Sequence, residues 1–536
     1  MANASYDFIV VGAGSAGAVV ASRLSENPAW KVLLLEAGPP DNHHWIHIPA
    51  GYTKTFLDGR YNWKYESGPE PTLGGRVMYA PRGKTLGGTS SINGMVYMRG
   101  IASDYDVWRQ LGNVGWSYED VLPFFKKMES NRLGDDRFHG RSGPLLIGEP
   151  AWRNELSEAY IAAAKAAGLP ENPDFNGAQQ EGVGYYQITV RDGRRNSTAR
   201  AYLKPARSRP NLHIVTEALA EKVVFDGKRA RGVVYSQNGQ TVTADANSEI
   251  ILSGGAVNSP QLLMLSGVGP AKQLKEHGIP VTTDSPGVGE NLQDHYAARF
   301  TYRINKPLTV NDRMMSWPKM ALMGAEYALR RTGPLAVGAS TVGAFFRSGP
   351  QASEPDVQLH FFAFSTADPA KGPDPFSGFS VVVDQHRPES RGRVTLRSAN
   401  PREQLTIQAN YLEAEADQTV LVDAMNFAIR IHEQQPLKAL IEEELRPGVN
   451  VRKRDELLAY AKETGESTYH LSCTCHMGPT EDKNAVVDPR LRVNGVQGLR
   501  VADASVLPRV VSGNTNATCI MVGEKCADMI KADAAA

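Results

Sequence analysis

The sequence lacks long hydrophobic runs, an excess of either charge and a wide spread of cysteines. No apolar stretch in its 536 residues approaches the roughly 20 residues that cross a bilayer, so we expect no transmembrane segment. Lysine plus arginine equals aspartate plus glutamate, at 58 each, which gives no reason to expect a nucleic-acid partner. A core-like strand begins near residue 6 without a preceding basic segment, so we expect no signal peptide. These features predict a cytoplasmic protein and leave peripheral membrane association open.

Cysteine is scarce and confined to the C-terminal part of the chain. The four cysteines are Cys473, Cys475, Cys519 and Cys526. A disulfide framework would be spread over a secreted chain, so this distribution is typical of a reducing compartment. Residues 467–478 nevertheless combine two histidines with two cysteines. That stretch admits a metal site, a redox thiol pair, or one catalytic base among packing residues.

The N-terminal segment carries a complete dinucleotide-binding pattern. A predicted strand (residues 6–11) is followed by the turn Gly12-Ala-Gly14-Ser-Ala-Gly17 and a predicted helix (residues 18–26). A second predicted strand (residues 31–36) ends in the acid Glu36. Gly12 permits a tight turn, Gly14 lets the backbone approach a pyrophosphate, and Gly17 lets helix and strand pack closely. The helix N-terminus offers unpaired N–H groups to phosphates, and Glu36 is placed to accept hydrogen bonds from a ribose. The pattern alone does not separate NAD from FAD.

A second glycine-rich segment lies far from the first. Residues 81–94 read Pro-Arg-Gly-Lys-Thr-Leu-Gly-Gly-Thr-Ser-Ser-Ile-Asn-Gly. Gly87, Gly88 and Ser90 could line a pyrophosphate or an isoalloxazine edge through backbone groups, as a long cofactor contacted at several points would require. Composition alone would favour an ordinary surface loop.

Several motifs are similar to those of one family. They are Gly83-Lys-x-Leu-Gly-Gly-Thr-Ser-x-Ile-Asn93 with Tyr97, Gly100 and Asp106, then residues 255–269, residues 288–295 and residues 499–517. By these motifs the sequence resembles the glucose–methanol–choline (GMC) family of FAD-dependent oxidoreductases from residue 6 to about 532. Within the family it is most similar to the bacterial branch that holds choline dehydrogenase, aliphatic alcohol dehydrogenases and L-sorbose dehydrogenase.

The resemblance, with a chain too long for one core, implies two domains and an α/β plus α+β fold. We expect a discontinuous Rossmann-like FAD-binding domain (residues 1–155, 195–300 and 461–536) and a substrate-binding domain (residues 156–194 and 301–460) with an antiparallel sheet backed by helices. The apolar patterns agree with this division. They predict strands at 212–216, 231–235 and 249–254 in the first domain, and strands at 356–362 and 393–397 with a helix at 415–433 in the second.

Alcohol oxidation by a flavin needs a group that removes the hydroxyl proton, because an alkoxide releases hydride far more readily. Positioned proton transfer contributes roughly 10²–10⁴-fold to the rate. The resemblance implies that His470 of the Tyr-His pair is this base. It also implies that Asn514, whose amide takes no proton at neutral pH, orients the alcohol oxygen.

The resemblance also implies how FAD is held. Residues 514–532 predict a helix whose positive N-terminal end would face the flavin N1–C2 carbonyl, and the backbone of Asp503, Ala504 and Asn516 would hold the ring. The full expected set of cofactor residues is Gly12, Gly14, Ser15, Ala16, Gly17, Glu36, Ala37, Arg82, Gly83, Leu86, Gly87, Gly88, Ser90, Asn93, Gly94, Met95, Val96, Ala220, Asp503, Ala504, Thr515 and Asn516. Some relatives attach FAD to a histidine where this chain has Ile92, so non-covalent FAD is expected.

Other conspicuous residues receive plainer interpretations. His295 is expected to be structural or to support another residue rather than to act as the base. His360, Phe361, Phe362 and Tyr469 are candidates for the substrate pocket, although a half-buried strand explains the alternation of residues 360–362 equally well. Cys473 and Cys475 lack the spacing of a thiol or zinc motif and, with His476, are expected to pack. His43, His44 and His47 lack supporting ligands, so we expect a loop there and no metal.

The leading hypothesis is an FAD-dependent alcohol dehydrogenase that oxidises a primary alcohol, a polyol or sugar, or a choline-like alcohol, and passes electrons to a quinone or similar acceptor. One alternative is an alcohol oxidase that reduces O₂ to H₂O₂. Another is a lyase or light-driven decarboxylase on the same fold. The sequence leaves open which alcohol is the substrate and whether the protein is a monomer or a homodimer.

Overall fold

The computed structural model describes residues 4–368 and 371–535 and is built on two large sheets. The first sheet is parallel over most of its width and ends in an antiparallel meander. Its strands, in spatial order, are Leu212–Val215, Val32–Leu35, Ala4–Val11, Gln240–Leu252, Arg229–Gln237 and Ala218–Asp226, with Leu499–Val501 also paired to Gln240–Leu252.

The first sheet is buried because helices cover it. The central strand Ala4–Val11 contributes Ile9 and Val10, which are fully buried, as expected for a parallel strand covered on both faces. The helix Gly17–Leu24, here called the first helix, presents small apolar residues that let it lie close to the strands and to the helix Asn516–Ala535. We call the latter the C-terminal helix.

The second sheet is antiparallel throughout. Its strands, in spatial order, are Ile441–Arg446, Tyr296–Ile304, Gly378–Gln385, Val357–Phe362, Val342–Phe346 and Gly182–Tyr185, with Glu466–Ser467 also paired to Tyr296–Ile304. Every residue of Gly378–Gln385 is buried. One face of this sheet packs against the helix Glu415–His432, and the other faces a cavity.

Shorter elements connect and cover the two sheets. The remaining α-helices are His44–His47, Tyr52–Thr55, Ala102–Gln110, Tyr118–Met128, Glu155–Ala166, Lys204–Ala206, Gly255–Leu265, Ala271–Glu276, Val310–Met314, Trp317–Arg330 and Arg454–Thr464. Two-stranded ribbons pair Tyr65–Glu66 with Tyr79–Ala80, Glu129–Ser130 with Leu145–Leu146, Val190–Arg191 with Arg194–Arg195, Val268–Gly269 with Thr283–Asp284, and Arg393–Thr395 with Thr406–Gln408. In residues 4–368 and 371–535, no helix combines the length and apolar character needed to cross a membrane.

The expected α/β plus α+β fold is confirmed, and the predicted elements are found with small shifts of their ends. The strand expected at 249–254 is the last part of Gln240–Leu252. The strand expected at 393–397 forms only the ribbon Arg393–Thr395 outside the large sheet. The strand Tyr296–Ile304 crosses the predicted domain limit at residue 300, and the domain limits remain a prediction.

The C-terminal helix is fixed to the first helix by a glycine and a buried ion pair. A Cβ atom at Gly523 would lie 2.7 Å from the carbonyl oxygen of Ala16 and 3.0 Å from the Cβ of Val19. The fully buried Glu524 accepts hydrogen bonds from Arg23 (2.8 and 2.9 Å) and from the Tyr202 hydroxyl (2.8 Å). Close approach of the two helices therefore depends on the absence of a side chain at Gly523.

We expect Gly523→Ala to destabilise the fold by about 1–3 kcal/mol, because an added methyl in a packed contact forces backbone shifts. The matched control is Gly324→Ala, also within a helix, where an added Cβ meets no atom within 4 Å. That substitution should be neutral or stabilising by up to about 1 kcal/mol from helix propensity alone. Guanidinium unfolding midpoints measure both. Equal effects of the two substitutions would contradict the packing role of Gly523.

Candidate active site

A single cavity of about 1030 Å³ runs from the glycine-rich turn of the first sheet to the open face of the second. It is larger than most small-ligand pockets and long enough to join the dinucleotide pattern to His470. Most of the expected cofactor residues line it: Gly12, Gly14, Ser15, Ala16, Glu36, Ala37, Arg82, Gly83, Gly88, Asn93, Gly94, Met95, Val96, Ala220, Asp503, Ala504, Thr515 and Asn516.

The glycine-rich turn fits a pyrophosphate. A Cβ at Gly14 would meet only the Ser253 carbonyl oxygen, at an ordinary contact distance of 3.9 Å, so the space where a side chain would lie is open to a ligand. Glu36 accepts backbone hydrogen bonds from Ala13 (3.0 Å) and Gly38 (2.9 Å), one on each carboxylate oxygen. The second lone pair of each oxygen is left for ribose hydroxyls. Burial raises the pKa of Glu36 to about 7.

The second glycine-rich segment closes over the first. Gly87 N–H donates to the Ala13 carbonyl oxygen (2.8 Å), and a Cβ at Gly88 would lie 2.7 Å from the Gly14 Cα. Arg82 lines the cavity, donates to the Tyr469 carbonyl oxygen (2.7 Å), and has its buried Nη2 without a partner among the described residues. An unpartnered buried guanidinium nitrogen implies an acceptor supplied by a bound group. The residues present therefore fit an FAD-sized cofactor.

Four of the expected cofactor residues support the cavity wall from behind. Gly17 packs on the turn, because its Cβ would lie 1.9 Å from the Gly12 carbonyl oxygen. Ser90 donates to the Gly87 carbonyl oxygen (2.6 Å) and pairs with the Thr198 hydroxyl. Leu86 lies in the core and Gly87 holds a positive φ of 87°. Gly17, Leu86, Gly87 and Ser90 shape the site without lining it.

His470 is anchored through its backbone. Its N–H donates to Asp294 Oδ1 (2.7 Å), while the Tyr411 hydroxyl (2.5 Å) and the Ser467 hydroxyl bind Asp294 Oδ2. Tyr469 adopts the left-handed conformation with φ 67°, a strained state that tends to occur at functional sites. The imidazole of His470 is thereby directed into the cavity.

Hydrogen bonds fix which nitrogen of His470 carries a proton. His295 Nε2 lies 3.1 Å from the His386 carbonyl oxygen, which can only accept, so His295 must donate there. A neutral His295 then accepts at Nδ1 from His470 Nδ1, 3.0 Å away. His470 Nε2 is therefore the unprotonated nitrogen, and it accepts from the Asn514 amide at 3.0 Å.

The same hydrogen bonds continue into a closed ring. The Asn514 side-chain oxygen accepts from Gln358 (3.2 Å), and the Gln358 oxygen accepts from His386 Nε2 (3.1 Å). His386 thus holds His295 through its carbonyl oxygen and Asn514 through Gln358. We call this set (His295, Gln358, His386, His470 and Asn514) the histidine ring.

A buried carboxyl group lies beside the histidine ring. Asp384 is fully buried, and neither of its oxygens has a hydrogen-bond partner among the described residues. Its oxygens lie 3.9 Å from His295 Nδ1, 3.6 Å from His360 Nε2 and 3.8 Å from His386 Nε2. Burial raises the pKa of Asp384 well above its usual value and lowers the pKa of His470 well below the usual one. His470 is therefore held as a free base at neutral pH.

The substrate end of the cavity differs from expectation at one residue. His360 and Phe362 line the cavity with Tyr469. Phe361 points to the opposite face of the sheet, where it packs on Tyr160 at 4.5 Å between ring centroids and is fully buried. The prediction that Phe361 lines the pocket is wrong, because successive side chains of a strand alternate between its two faces.

In the stretch 467–478, residues 467–471 line the cavity, and the cysteines and His476 that follow pack outside it. Cys473 and Cys475 are buried and free, and burial raises the pKa of the Cys473 thiol to about 12. His476 lies 3.6 Å from the Asp482 carboxylate. Within the described residues, no group of three or more histidine, cysteine or acidic side chains is arranged to hold a metal.

The N-terminal histidines occupy a short helix where a loop was expected. His43 caps the helix His44–His47 by accepting from the Trp45 backbone, and its ring stacks on that of His44. Trp45 itself lines the cavity. The loop expectation is thus wrong.

Sequence reasoning missed at least four residues that complete the site: Gln358, His386, Arg299 and Glu466. Gln358 shares the cavity-facing side of its strand with His360 and Phe362, so strand alternation could have identified it. Arg299 and Glu466 line the cavity as an ion pair with a nitrogen–oxygen distance of 3.0 Å. Their partnership joins Tyr296–Ile304 to a segment more than 160 residues away, and nothing local in the sequence indicates it.

Comparison with known families agrees with this geometry. The profile of the GMC oxidoreductase N-terminal region matches residues 6–297, and that of the C-terminal region matches residues 388–523. The chain belongs to the GMC oxidoreductase family. It is 44% identical to mitochondrial choline dehydrogenase of Homo sapiens over 98% of this chain and 90% of the human protein. It is also 44% identical to oxygen-dependent choline dehydrogenase of Brucella anthropi over 98% of this chain and 95% of the relative.

Solved structures share the GMC oxidoreductase fold over the full length. Pyridoxine 4-oxidase from Mesorbium loti superposes with a TM-score of 0.88 at 30% identity, covering 98% of this chain and 99% of its own. Formate oxidase from Aspergillus oryzae superposes with a TM-score of 0.92 at 28% identity, covering 99% of both chains. This GMC oxidoreductase is an FAD-dependent enzyme of the alcohol-oxidising type.

We expect the buried histidines to reduce the stability of the fold as the pH falls from about 6.5 towards 4. Burial lowers the pKa of His295 to about 4 and that of His360 and His432 to about 3, and it lowers the pKa of His386 and His470. The unfolded chain, with histidine pKa values near 6.5, binds more protons in this range, so acid favours unfolding. Burial raises the pKa values of six carboxyl groups, and these act in the opposite direction, so the effect of one histidine has to be measured by removing it. They are Glu36, Glu70, Asp104, Asp294, Asp384 and Asp503.

Guanidinium unfolding midpoints measured across this pH range test the prediction. The matched variant is His432→Gln, because His432 lies outside the cavity wall and bonds only to Tyr302 (2.7 Å) and Tyr160 (3.4 Å). His432→Gln should lower the free energy of unfolding at neutral pH. It should also reduce the pH dependence of that free energy by the contribution of about one proton. A pH dependence that His432→Gln leaves unchanged would contradict the neutral state of the buried His432.

Proposed function

We propose that this GMC oxidoreductase is an FAD-dependent dehydrogenase of neutral aliphatic alcohols, with His470 as the base. The observation that carries the proposal is the histidine ring. It places an unprotonated Nε2 on the wall of the same cavity that the dinucleotide turn lines. A base without a nearby cofactor, or a cofactor without a base, would not support this chemistry.

His470 and Asn514 act together on the alcohol hydroxyl. An alcohol that reaches Nε2 replaces the Asn514 hydrogen bond, and the Asn514 amide then donates to the alcohol oxygen. His470 takes the hydroxyl proton at Nε2, which makes the adjacent carbon a better hydride donor. Bound FAD supplies the hydride acceptor.

The C-terminal helix supports the flavin end of the site. Thr515 and Asn516 line the cavity at its N-terminus, and Asn516 accepts from Ser15 (2.7 Å), which ties the helix to the dinucleotide turn. Unpaired N–H groups there favour negative charge. We propose that FAD is bound without a covalent link, since Ile92, which lines the cavity, offers no nucleophile.

The cavity wall favours an uncharged substrate over a quaternary ammonium. Among the described residues that line it, the carboxylates are Glu36, Glu466 and Asp503, and each already has partners. Glu466 accepts from Arg299 (3.0 Å), whose guanidinium lies 5.9 Å from the Phe362 ring. An arginine therefore occupies the face of Phe362, one of the aromatic side chains of the wall that a cationic headgroup could contact. The choline dehydrogenase relatives make choline the competing substrate.

His470→Ala is expected to retain FAD but to slow flavin reduction by an alcohol by about 10²–10⁴-fold, the usual contribution of a positioned base. Anaerobic stopped-flow bleaching of the flavin in the dark measures this. Dark bleaching by an alcohol in the unchanged enzyme also separates the dehydrogenase from a lyase or a photodecarboxylase. The FAD content, released into solution by acid precipitation, is the control. Unchanged reduction in His470→Ala would refute the role of His470.

Choline and its uncharged isostere 3,3-dimethylbutan-1-ol provide a matched pair of substrates. We expect kcat/KM for the isostere to equal or exceed that for choline, because no unpaired carboxylate faces the headgroup. Assays use an artificial quinone, and peroxide is measured on admitting air to the reduced enzyme. A preference for choline of tenfold or more would overturn the proposed substrate class. Rapid formation of one peroxide per reduced flavin would instead identify an oxidase. Pyridoxine 4-oxidase and formate oxidase, which share the fold, make this the main alternative.

A further inference from the structure

The helix Trp317–Arg330, here called the outer helix, turns an apolar face to solvent. Trp317, Leu322 and Leu329 are exposed to 76%, 71% and 84%. The residues between them on the same face are also exposed and apolar: Pro318, Ala321, Ala325 and Ala328. At 100° per residue these seven positions form one continuous stripe. Exposed apolar patches of this kind mark sites of association.

The opposite face of the outer helix belongs to the active site. Met320, Met323 and Gly324 line the cavity, as does Met314 of the preceding helix. Tyr327 is buried and its hydroxyl donates to the Gly193 carbonyl oxygen (2.8 Å). The outer helix is therefore a wall of the substrate cavity whose reverse side is apolar and open.

Positive charges flank the apolar stripe. Lys319, Arg330 and Arg194 are exposed, and none forms an ion pair with a described carboxylate. Arg331 stacks on the Tyr327 ring at 4.9 Å and is likewise free of an ion pair within the described chain. Glu326, the acidic residue of the outer helix, forms an ion pair with Arg313 (3.2 Å).

The charge pattern distinguishes between occupants of this surface. In a symmetric dimer formed through the stripe, the same cations would approach their own copies, which opposes association. The stripe is also small: a 14-residue helix is about 21 Å long and about 10 Å wide, or roughly 200 Å², against about 800 Å² per partner in a stable complex. An anionic lipid surface matches both the apolar stripe with its tryptophan and the flanking cations.

We propose that the outer helix docks this protein on the surface of an anionic lipid bilayer, with Trp317, Leu322 and Leu329 inserted between headgroups. Docking places the cavity wall against the lipid, where an apolar electron acceptor dissolved in the bilayer can approach. The docking surface is independent of which alcohol the enzyme oxidises. Asp192, exposed beside Arg194, is the nearest opposing charge and weakens the attraction without cancelling it.

Co-sedimentation of the holoenzyme with lipid vesicles tests the proposal. Binding to vesicles of phosphatidylcholine plus phosphatidylglycerol should exceed binding to phosphatidylcholine alone and should fall with added salt. The double substitution Leu322→Glu/Leu329→Glu should reduce binding at least about tenfold. The matched control is Val114→Glu/Val449→Glu, at residues that are 76% and 66% exposed elsewhere on the protein, and it should bind normally.

A second pair of measurements separates lipid docking from its alternatives. Lys319→Gln/Arg330→Gln should remove the preference for anionic vesicles while leaving thermal stability and alcohol oxidation in solution unchanged. Sedimentation equilibrium without vesicles reports self-association. Absence of binding to anionic vesicles, or equal binding by both glutamate double variants, would overturn the proposal. So would conversion of a dimer to a monomer by Leu322→Glu/Leu329→Glu, which would identify the stripe as a contact between copies of the chain.

Discussion

The active site depends on one closed circuit of hydrogen bonds, the histidine ring. A backbone carbonyl oxygen can only accept a hydrogen bond. The His386 carbonyl oxygen therefore sets the tautomer of His295, and His295 sets that of His470. The second arm of the circuit, through Gln358, orients Asn514. Each member is hydrogen-bonded to two others, which offsets most of the cost of burying the ring. Among the described residues, His386 Nδ1 has no partner. The fold therefore determines that the free lone pair of the base, His470, is on Nε2.

The histidine ring also joins the two halves of the molecule. Gln358 and His386 come from or follow strands of the second sheet, whereas Asn514 precedes the C-terminal helix that packs on the dinucleotide turn. A displacement of one sheet relative to the other would therefore break hydrogen bonds at the base before it disturbed the core. The small residues at the helix contact, with Gly523 among them, hold the C-terminal helix, and Asn514 just before it, against the dinucleotide turn.

Local sequence could predict the parts of the site that local chemistry determines. The turn around Gly12 and Gly14 requires glycine whether or not a ligand is bound. The order of strand, turn and helix can be recognised in a single sequence. The site beyond the turn arises from pairings across hundreds of residues, such as His295 with His470, and no spacing rule encodes these. The error at Phe361 shows the remaining limit: alternation along a strand was visible, but which face met the cavity depended on the position of the whole sheet.

The contact between the two glycine-rich segments restricts what either segment can carry. The Gly87 N–H is hydrogen-bonded to the Ala13 carbonyl oxygen, and Gly88 lies directly against Gly14, so the segment that covers the pyrophosphate site is held against the turn that forms it. A side chain at Gly88 would push on the turn as well as on its own segment. The two glycine-rich segments, although more than 70 residues apart in the sequence, therefore act as a single surface toward the dinucleotide.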